Sequence, residues 1–470
     1  MTSTRFNNWS AQEGKMDLKR LFKPETMAVI GVSLNNESHP ANVIYNKNHL
    51  RYQIPVYAVN SKGGLIRGEP VYPKIGDIPA KIDLAIIATK ADIVPTVTAE
   101  CIEAGVGGAV VISGGFSEAG FTDLQDRLVS TAREAGFPFI GPNCLGIFSP
   151  FLMDTFFIPG ERMVIPRKGK VAMVSQSGGI LVDHMAKCAL EGVGVSLAVS
   201  IGNKALINEI DMLKYLSEDP GTEVITFYLE GFDENEGRAF VLAAATCGKP
   251  VIVLKSGRTP AGSNAVKSHT ASIAGDYEVF SSVMAQHGVV EATDEYEIVT
   301  FAESLSCYKK TINGNIGIIT GSGGHGALAT DACLSHGLKV PRFSEAEQAE
   351  LHNSVSPTIK NIASFSNPVD LTGSATDDDF VAAALTLSRN NNIECIIVLL
   401  LPYLPGITMD LGARLNFVYQ QEGKPIVAYV PHVDKYSMLI DGFTLNNMPV
   451  AHTVEDAVHM AEAMRRYRPC

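Results

Sequence analysis

Residues 170–195 read KVAMVSQSGGILVDHMAKCALEGVGV, and residues 315–340 read NIGIITGSGGHGALATDACLSHGLKV. Each is a short apolar run, a glycine-rich turn and a stretch of helical spacing. Laying VSQSGG (174–179) over ITGSGG (319–324) places Ser177, Gly178 and Gly179 on Ser322, Gly323 and Gly324. The chain thus carries two copies of one strand–turn–helix unit. Their apolar residues are consecutive rather than alternating, as in strands buried on both faces of a parallel sheet covered by helices.

The pattern continues upstream. TMAVIGVS (26–33), PVYAVN (55–60), DLAIIATK (83–90) and GAVVISGG (108–115) are further runs of this kind. ADIVPTVTAECIEAG and SEAGFTDLQDRLVSTAREAG, between and after them, have helical spacing and stop on glycine. Strand and helix alternating from end to end predict an α/β fold of three doubly wound domains, over residues 17–148, 167–310 and 314–470. FLMDTFFIPGERMVIPRKG (151–169) reads as a linker, and KKTINGN (309–315) as a weaker seam.

Composition narrows the class. The 470 residues are 46% apolar with a net charge of -12 and a single Trp. With no basic stripe, a nucleic-acid-binding surface is not expected. The apolar runs, such as ECIIVLLL and GVGVSLAV, are too short for the roughly 20 residues of a membrane span. None of the eight cysteines forms a C-x-x-C pair, so no zinc or redox motif is indicated and no metal site is predicted. With no secretory leader, they read as reduced thiols of a cytoplasmic protein.

Three places carry candidate chemistry. Ser177, Gly178 and Gly179 bare backbone amides where a helix begins, which suits an anion by about 0.3–1 kcal/mol per charge. An ordinary strand-to-helix connection is the alternative. Glu230 ends the apolar run VITFYLEGF, and ligands in such folds gather at the carboxyl ends of strands. His269 sits in AVKSHTASIAG (265–275), where small neighbours leave room for a phosphate and then a second substrate. An imidazole can attack phosphorus, and a carboxylate bonded to its other ring nitrogen fixes the tautomer and steadies the cation formed. His325 in GSGGHG reads as an exposed loop histidine rather than a nucleophile. The first loop, VIGVSLNNESHP, has Gly31 but no second glycine two positions on, so the dinucleotide fingerprint is missing. A nucleotide-containing ligand other than NAD and a ligand-free tight turn both stay open there.

FKPETMAVIGVS, PVYAVNSKGG, IGPNCLG, VAMVSQSGGI, SIGNKA, YLEGF and KSGRTPAGSNAVKSHTASIAG occur in the order of the nucleoside-diphosphate-forming acyl-CoA synthetases. Over about the first 310 residues the chain resembles the succinyl-CoA synthetase α subunit. ITGSGGHGALATD and SNPVDLTG resemble the extra domain of the acetate–CoA ligase (ADP-forming) α subunit. The resemblance implies a Rossmann-like CoA-binding domain followed by two flavodoxin-like domains. It implies His269 as the phosphorylated histidine, Glu230 as its supporting carboxylate, and Ser177, Gly178 and Gly179 as the phosphate cradle. Gly31, Ser33, Asn60 and Lys62 fall in the CoA-binding loops, and Asn143 and Cys144 near the CoA thiol, with no catalytic role for Cys144. Ala271 stands where SHTG is usual, and VNSK where VNPK is usual.

No segment resembles an ATP-grasp domain. The implied partner is therefore an ATP-grasp β subunit, in an α2β2 assembly, carrying ADP or ATP with Mg2+. The implied reaction interconverts acyl-CoA, ADP and phosphate with a small carboxylic acid, CoA and ATP. The same chemistry on another acid, such as a dicarboxylate, and a non-catalytic CoA-sensing subunit are the alternatives.

Overall fold

The computed structural model describes residues 16–269 and 276–469, the side chains of residues 267–269 excepted. The apolar runs form three sheets covered by helices. The first has the strand order Gly64–Ile66, Glu69–Tyr72, Val56–Val59, Met27–Ile30, Leu84–Ile87, Gly108–Val111, Phe139–Ile140. All are parallel except Gly64–Ile66, which returns antiparallel on Glu69–Tyr72. Every residue of the central strands Met27–Ile30, Leu84–Ile87 and Gly108–Val111 is buried, as consecutive apolar residues require.

The second sheet runs Val290–Ala292, Val251–Lys255, Val224–Leu229, Lys168–Ser175, Val195–Ser200, Gly146–Ser149, Met153–Asp154. Its last two strands depart from the sequence expectation. Gly146–Ser149 was placed with the first domain, ending at 148, yet it pairs antiparallel with Val195–Ser200 through Ile147 and Val199. Met153–Asp154 lies inside the stretch read as linker and pairs back on Gly146–Ser149. Burial holds this hairpin: Asp154 is ion-paired at 2.7 Å with Lys47 of the first unit's helix Pro40–Arg51, both side chains buried. Asn48 of that helix donates to the Asp154 carbonyl at 2.7 Å and accepts from its N–H at 2.9 Å.

The third sheet is parallel throughout, in the order Val369–Asp370, Ile316–Thr320, Cys395–Leu399, Ile426–Tyr429, Val450–Ala451. One apolar core runs from the second sheet into the third. Val171 and Met173 of one and Ile316 and Ile318 of the other belong to it, with Phe301 and Met464 from the helices Glu297–Cys307 and Val454–Arg466 between them. Burying side chains of that size stabilises by about 1.5–3 kcal/mol each. Seven cysteines among the described residues are free thiols. No helix among the described residues is long and apolar enough to cross a membrane.

Candidate active site

In a doubly wound sheet the chain leaves one central strand for its neighbour on one side and later returns to the other side. Loops diverge there and open a crevice at the strands' carboxyl ends. In the first sheet the diverging loops begin at Gly31, Asn60 and Ala88. Gly31 has φ +103°, and a Cβ there would lie 2.3 Å from the Ala88 carbonyl oxygen. Only glycine fits. Gly31→Ala is expected to lower stability by about 2–4 kcal/mol, read as a lower urea midpoint at unchanged slope.

The predicted CoA residues meet at this crevice. Asn60 donates its side-chain amide to the Val32 carbonyl at 2.6 Å and accepts the Lys62 N–H at 2.9 Å, so one side chain ties the two loops together. The Ser33 hydroxyl accepts from Asn36 N–H at 3.1 Å, and Asn42 clasps the Ser33 backbone at 2.6 and 2.8 Å. Lys62 is exposed at the rim.

Asn143 lies across the junction between the first and second sheets. It has φ +57°, follows a cis Gly141–Pro142 bond, and donates its N–H to the Ser113 carbonyl at 2.9 Å. Its side-chain amide reaches Asn203 at 3.3 Å. Gly202, beside Asn203, backs so closely on this turn that a Cβ would sit 2.3 Å from the Pro142 oxygen. Cys144 is buried, donates to the Val111 carbonyl at 3.3 Å, and has its thiol pKa raised by burial.

The second crevice lies between Lys168–Ser175 and Val224–Leu229. Ser177 caps the helix Gly178–Leu190 by accepting from Ile180 N–H, and Ser175 fixes the turn from below, accepting Ser177 N–H at 3.1 Å. The first-turn amides of Gly178 and Gly179 have no intrahelical acceptor, as at any helix start. A Cβ at Gly178 would touch Leu145 at 3.1 Å, two residues from Asn143; one at Gly179 would meet nothing within 4 Å. One glycine packs against the Asn143 turn and the next opens on space.

Glu230 follows the neighbouring strand, and Gln176 joins it to the helix start. The Gln176 side-chain oxygen accepts from Glu230 N–H, and from Gly231 N–H at 3.2 Å; its amide donates to the Gly231 carbonyl at 2.9 Å and to Glu209. Glu209 is fully buried at the start of the helix Glu209–Glu218, turned inward by the Asn208 cap. Lys204 faces Glu209 at 3.4 Å, Glu236 at 2.8 Å and Asp233 at 3.9 Å. Lys255 donates to the Glu230 carbonyl at 2.8 Å from below. Gln176, Lys204, Glu209 and Lys255 were not singled out from sequence. Only the buried charge of SIGNKA and the strand-end position of Lys255 could have pointed to them.

His269 is the last residue of the helix Pro260–His269, which follows the strand Val251–Lys255 beside Glu230. Its side chain and residues 270–275, Ala271 included, lie outside the described residues.

The third sheet repeats the turn without counterparts of Gln176 and Glu230. Thr320 accepts Ser322 N–H at 3.0 Å, as Ser175 does for Ser177. Ser175 pairs with Tyr228 and Thr320 with Leu399, so this register sets Gln176 opposite Gly321 and Glu230 opposite Leu401. Leu401 is buried, and Leu404 closes over Gly321. His325 sits 3.3 Å from the Ser322 hydroxyl with its ring tilted against Tyr429, and there is no carboxylate in the place of Glu230.

Residues 25–150 match the CoA binding domain family, and residues 168–305 the succinyl-CoA ligase like flavodoxin domain family. The acetate–CoA ligase [ADP-forming] I subunit alpha of Pyrococcus furiosus is 33% identical over 96% of this chain and 98% of its own length. The acetate–CoA ligase [ADP-forming] I of Archaeoglobus fulgidus is 40% identical over 82% of this chain and 55% of its own, so this chain spans about half of that relative. A solved structure of the Ca. Korarchaeum cryptofilum dinucleotide forming acetyl-coenzyme A synthetase 1, in complex with phosphate and ADP, superimposes with TM-score 0.85 and 31% identity, covering 96% of this chain and 97% of that one. The chain belongs to the ADP-forming acetate–CoA ligase family and matches its α subunits over their full length.

Proposed function

We propose that this chain is the α subunit of an ADP-forming acyl-CoA synthetase, working with an ATP-grasp β subunit in the cytoplasm. CoA would occupy the first crevice, with Gly31, Ser33, Asn60 and Lys62 along its phosphates and Asn143 near its thiol end. Inorganic phosphate would sit on the Gly178 and Gly179 amides. A phosphate oxygen attacks the thioester carbonyl, the carbon–sulfur bond breaks, and CoA leaves as thiolate from an acyl phosphate. His269 nitrogen then takes the phosphoryl group, the phosphorus–oxygen bond breaks, and the carboxylate leaves. The phosphohistidine passes its phosphoryl group to ADP, held with Mg2+ by the partner. The chain's own part is positioning and charge stabilisation, the main contributions in phosphoryl transfer.

The observation that carries this reading is adjacency. Leu145 on Gly178 brings the Asn143 turn against the helix start, and Gln176 brings the helix start against Glu230. Thioester, phosphate and histidine would otherwise have no common meeting point.

Intact-mass measurement of the chain with phosphate and a panel of acyl-CoAs tests the proposal. A gain of one phosphoryl group, lost in acid, is the expected result, and the most effective acyl-CoA points to the acid used. No gain with any acyl-CoA, even with the β partner present, would support the CoA-sensing alternative instead.

A further inference from the structure

The helix that starts at Gly178 ends at Glu191, far from the site described above, and meets the third sheet there. Two histidines converge on it. His432 follows the strand Ile426–Tyr429, and His452 follows the adjacent parallel strand Val450–Ala451. The Glu191 carboxylate, a His432 ring nitrogen and a His452 ring nitrogen all lie within 4.8 Å of one another. The two rings stand 4.4 Å apart at 72°, in a T-shaped arrangement.

The hydrogen bonds of His452 sharpen the picture. Its Nδ1 lies 2.9 Å from the Val430 carbonyl oxygen, which can only accept, so Nδ1 carries the proton. Nε2 is left facing a Glu191 carboxylate oxygen at 3.3 Å. A lone pair facing a carboxylate requires a second proton or a cation between them. A proton would draw the pair to about 2.7–2.9 Å, the usual charge-assisted distance. Two ligands of one tetrahedral ion, each about 2.0–2.1 Å from it, lie roughly 3.3–3.4 Å apart. The 3.3 Å between them fits two ligands of one ion. A ring whose other nitrogen donates to a backbone carbonyl is also how metal-binding histidines are commonly oriented.

We propose that Glu191, His432 and His452 form a site for a divalent transition-metal ion of the zinc class, tying the far end of the phosphate-cradle helix to the third sheet. Two imidazoles and one carboxylate suit that class, whereas magnesium and calcium prefer oxygen ligands. His432 is exposed, which leaves the fourth position to water. A second cluster, His336, His459 and Glu462, serves as an internal contrast. Glu462 already receives Arg466 at 2.6 Å, Arg465 at 3.8 Å and His336 at 2.9 Å, so its charge is met by the protein itself.

The test is calorimetric titration of the full-length, chelator-stripped chain with Zn2+ alone, which needs no turnover and is independent of the ligase reading. One equivalent is expected to bind in the micromolar range or tighter. His432→Ala and His452→Ala should each weaken it at least tenfold, and His336→Ala should leave it unchanged. His432 is on the surface, so its variant decides even if His452→Ala fails to fold. Zn2+ binding unchanged in His432→Ala, or absent from the unsubstituted chain, overturns the proposal and leaves His452 and Glu191 as an ion pair.

Discussion

The His269→Ala chain, supplied with its β partner, acyl-CoA, phosphate and ADP, is expected to lose turnover by about four orders of magnitude or more, while CoA binds as before. The reasons for the two halves differ. Without the His269 imidazole the proposed route loses its phosphoryl acceptor, and neighbouring serine hydroxyls are poor nucleophiles without a general base. CoA, by contrast, is expected on loops of the first sheet, where Asn60 holds Val32 and Lys62 in place with no help from the helix Pro260–His269. Rapid-quench measurement separates the steps. Acyl phosphate should still form on the Gly178 amides, and the acid-labile protein-bound phosphate should vanish. Turnover near the native rate would mean that the acyl phosphate reaches ADP directly, and the phosphohistidine route would have to be abandoned.

What the sequence made legible is what short-range physics decides. Consecutive apolar residues in MAVI and LAII marked fully buried parallel strands, and both are buried at every position. The repeated turn was visible in SQSGG and GSGG because both helices start on a serine followed by two glycines directly after a strand. The strand-end position of Glu230 was legible for the same local reason; its place next to the helix start was not. Which sheet the strand Gly146–Ser149 joins was not legible. The run Gly-Ile-Phe-Ser carries no mark of its partner, and the pairing is made with Ala198, Val199 and Ser200, some fifty positions away. Gln176 was missed for a similar reason. It looks like one more polar turn residue, and its importance lies in bonds to Glu209, Glu230 and Gly231, all distant in sequence. The repeat itself gave a sharper hint than was drawn from it: the third unit has Gly321 where the second has Gln176.

Lys204→Met should cost about 3–5 kcal/mol of stability, because it leaves buried carboxylates without their cation. The Lys204 side chain is 5% exposed, Glu209 is fully buried, and Glu236 and Asp233 complete the group around the ammonium. Burial alone would lower the Lys204 pKa, but the three carboxylates outweigh it and raise the pKa, so the lysine stays charged. For Glu209 burial wins over the pull of Lys204 and lifts its pKa from 4.5 to about 7. A carboxyl raised on folding stabilises fully below its unfolded value and loses that contribution as pH rises through its folded value. Glu236 behaves oppositely: burial raises its pKa, Lys204 more than offsets this, and its net lowering stabilises at pH above the unfolded 4.5. Removing Lys204 pushes Glu209 higher still and removes the support of Glu236. Both changes act when the carboxylates are charged, so the deficit of the variant should be larger at pH 8 than at pH 5.5. Urea denaturation at the two pH values checks this. A deficit equal at both would assign the loss to packing of the lysine stem rather than to its charge. The consequence for the site follows through Gln176, whose amide is held between Glu209 and Gly231. Once Glu209 is protonated or displaced, the link from helix start to Glu230 slackens. Phosphoenzyme yield in the variant should therefore fall even at temperatures where the chain remains folded.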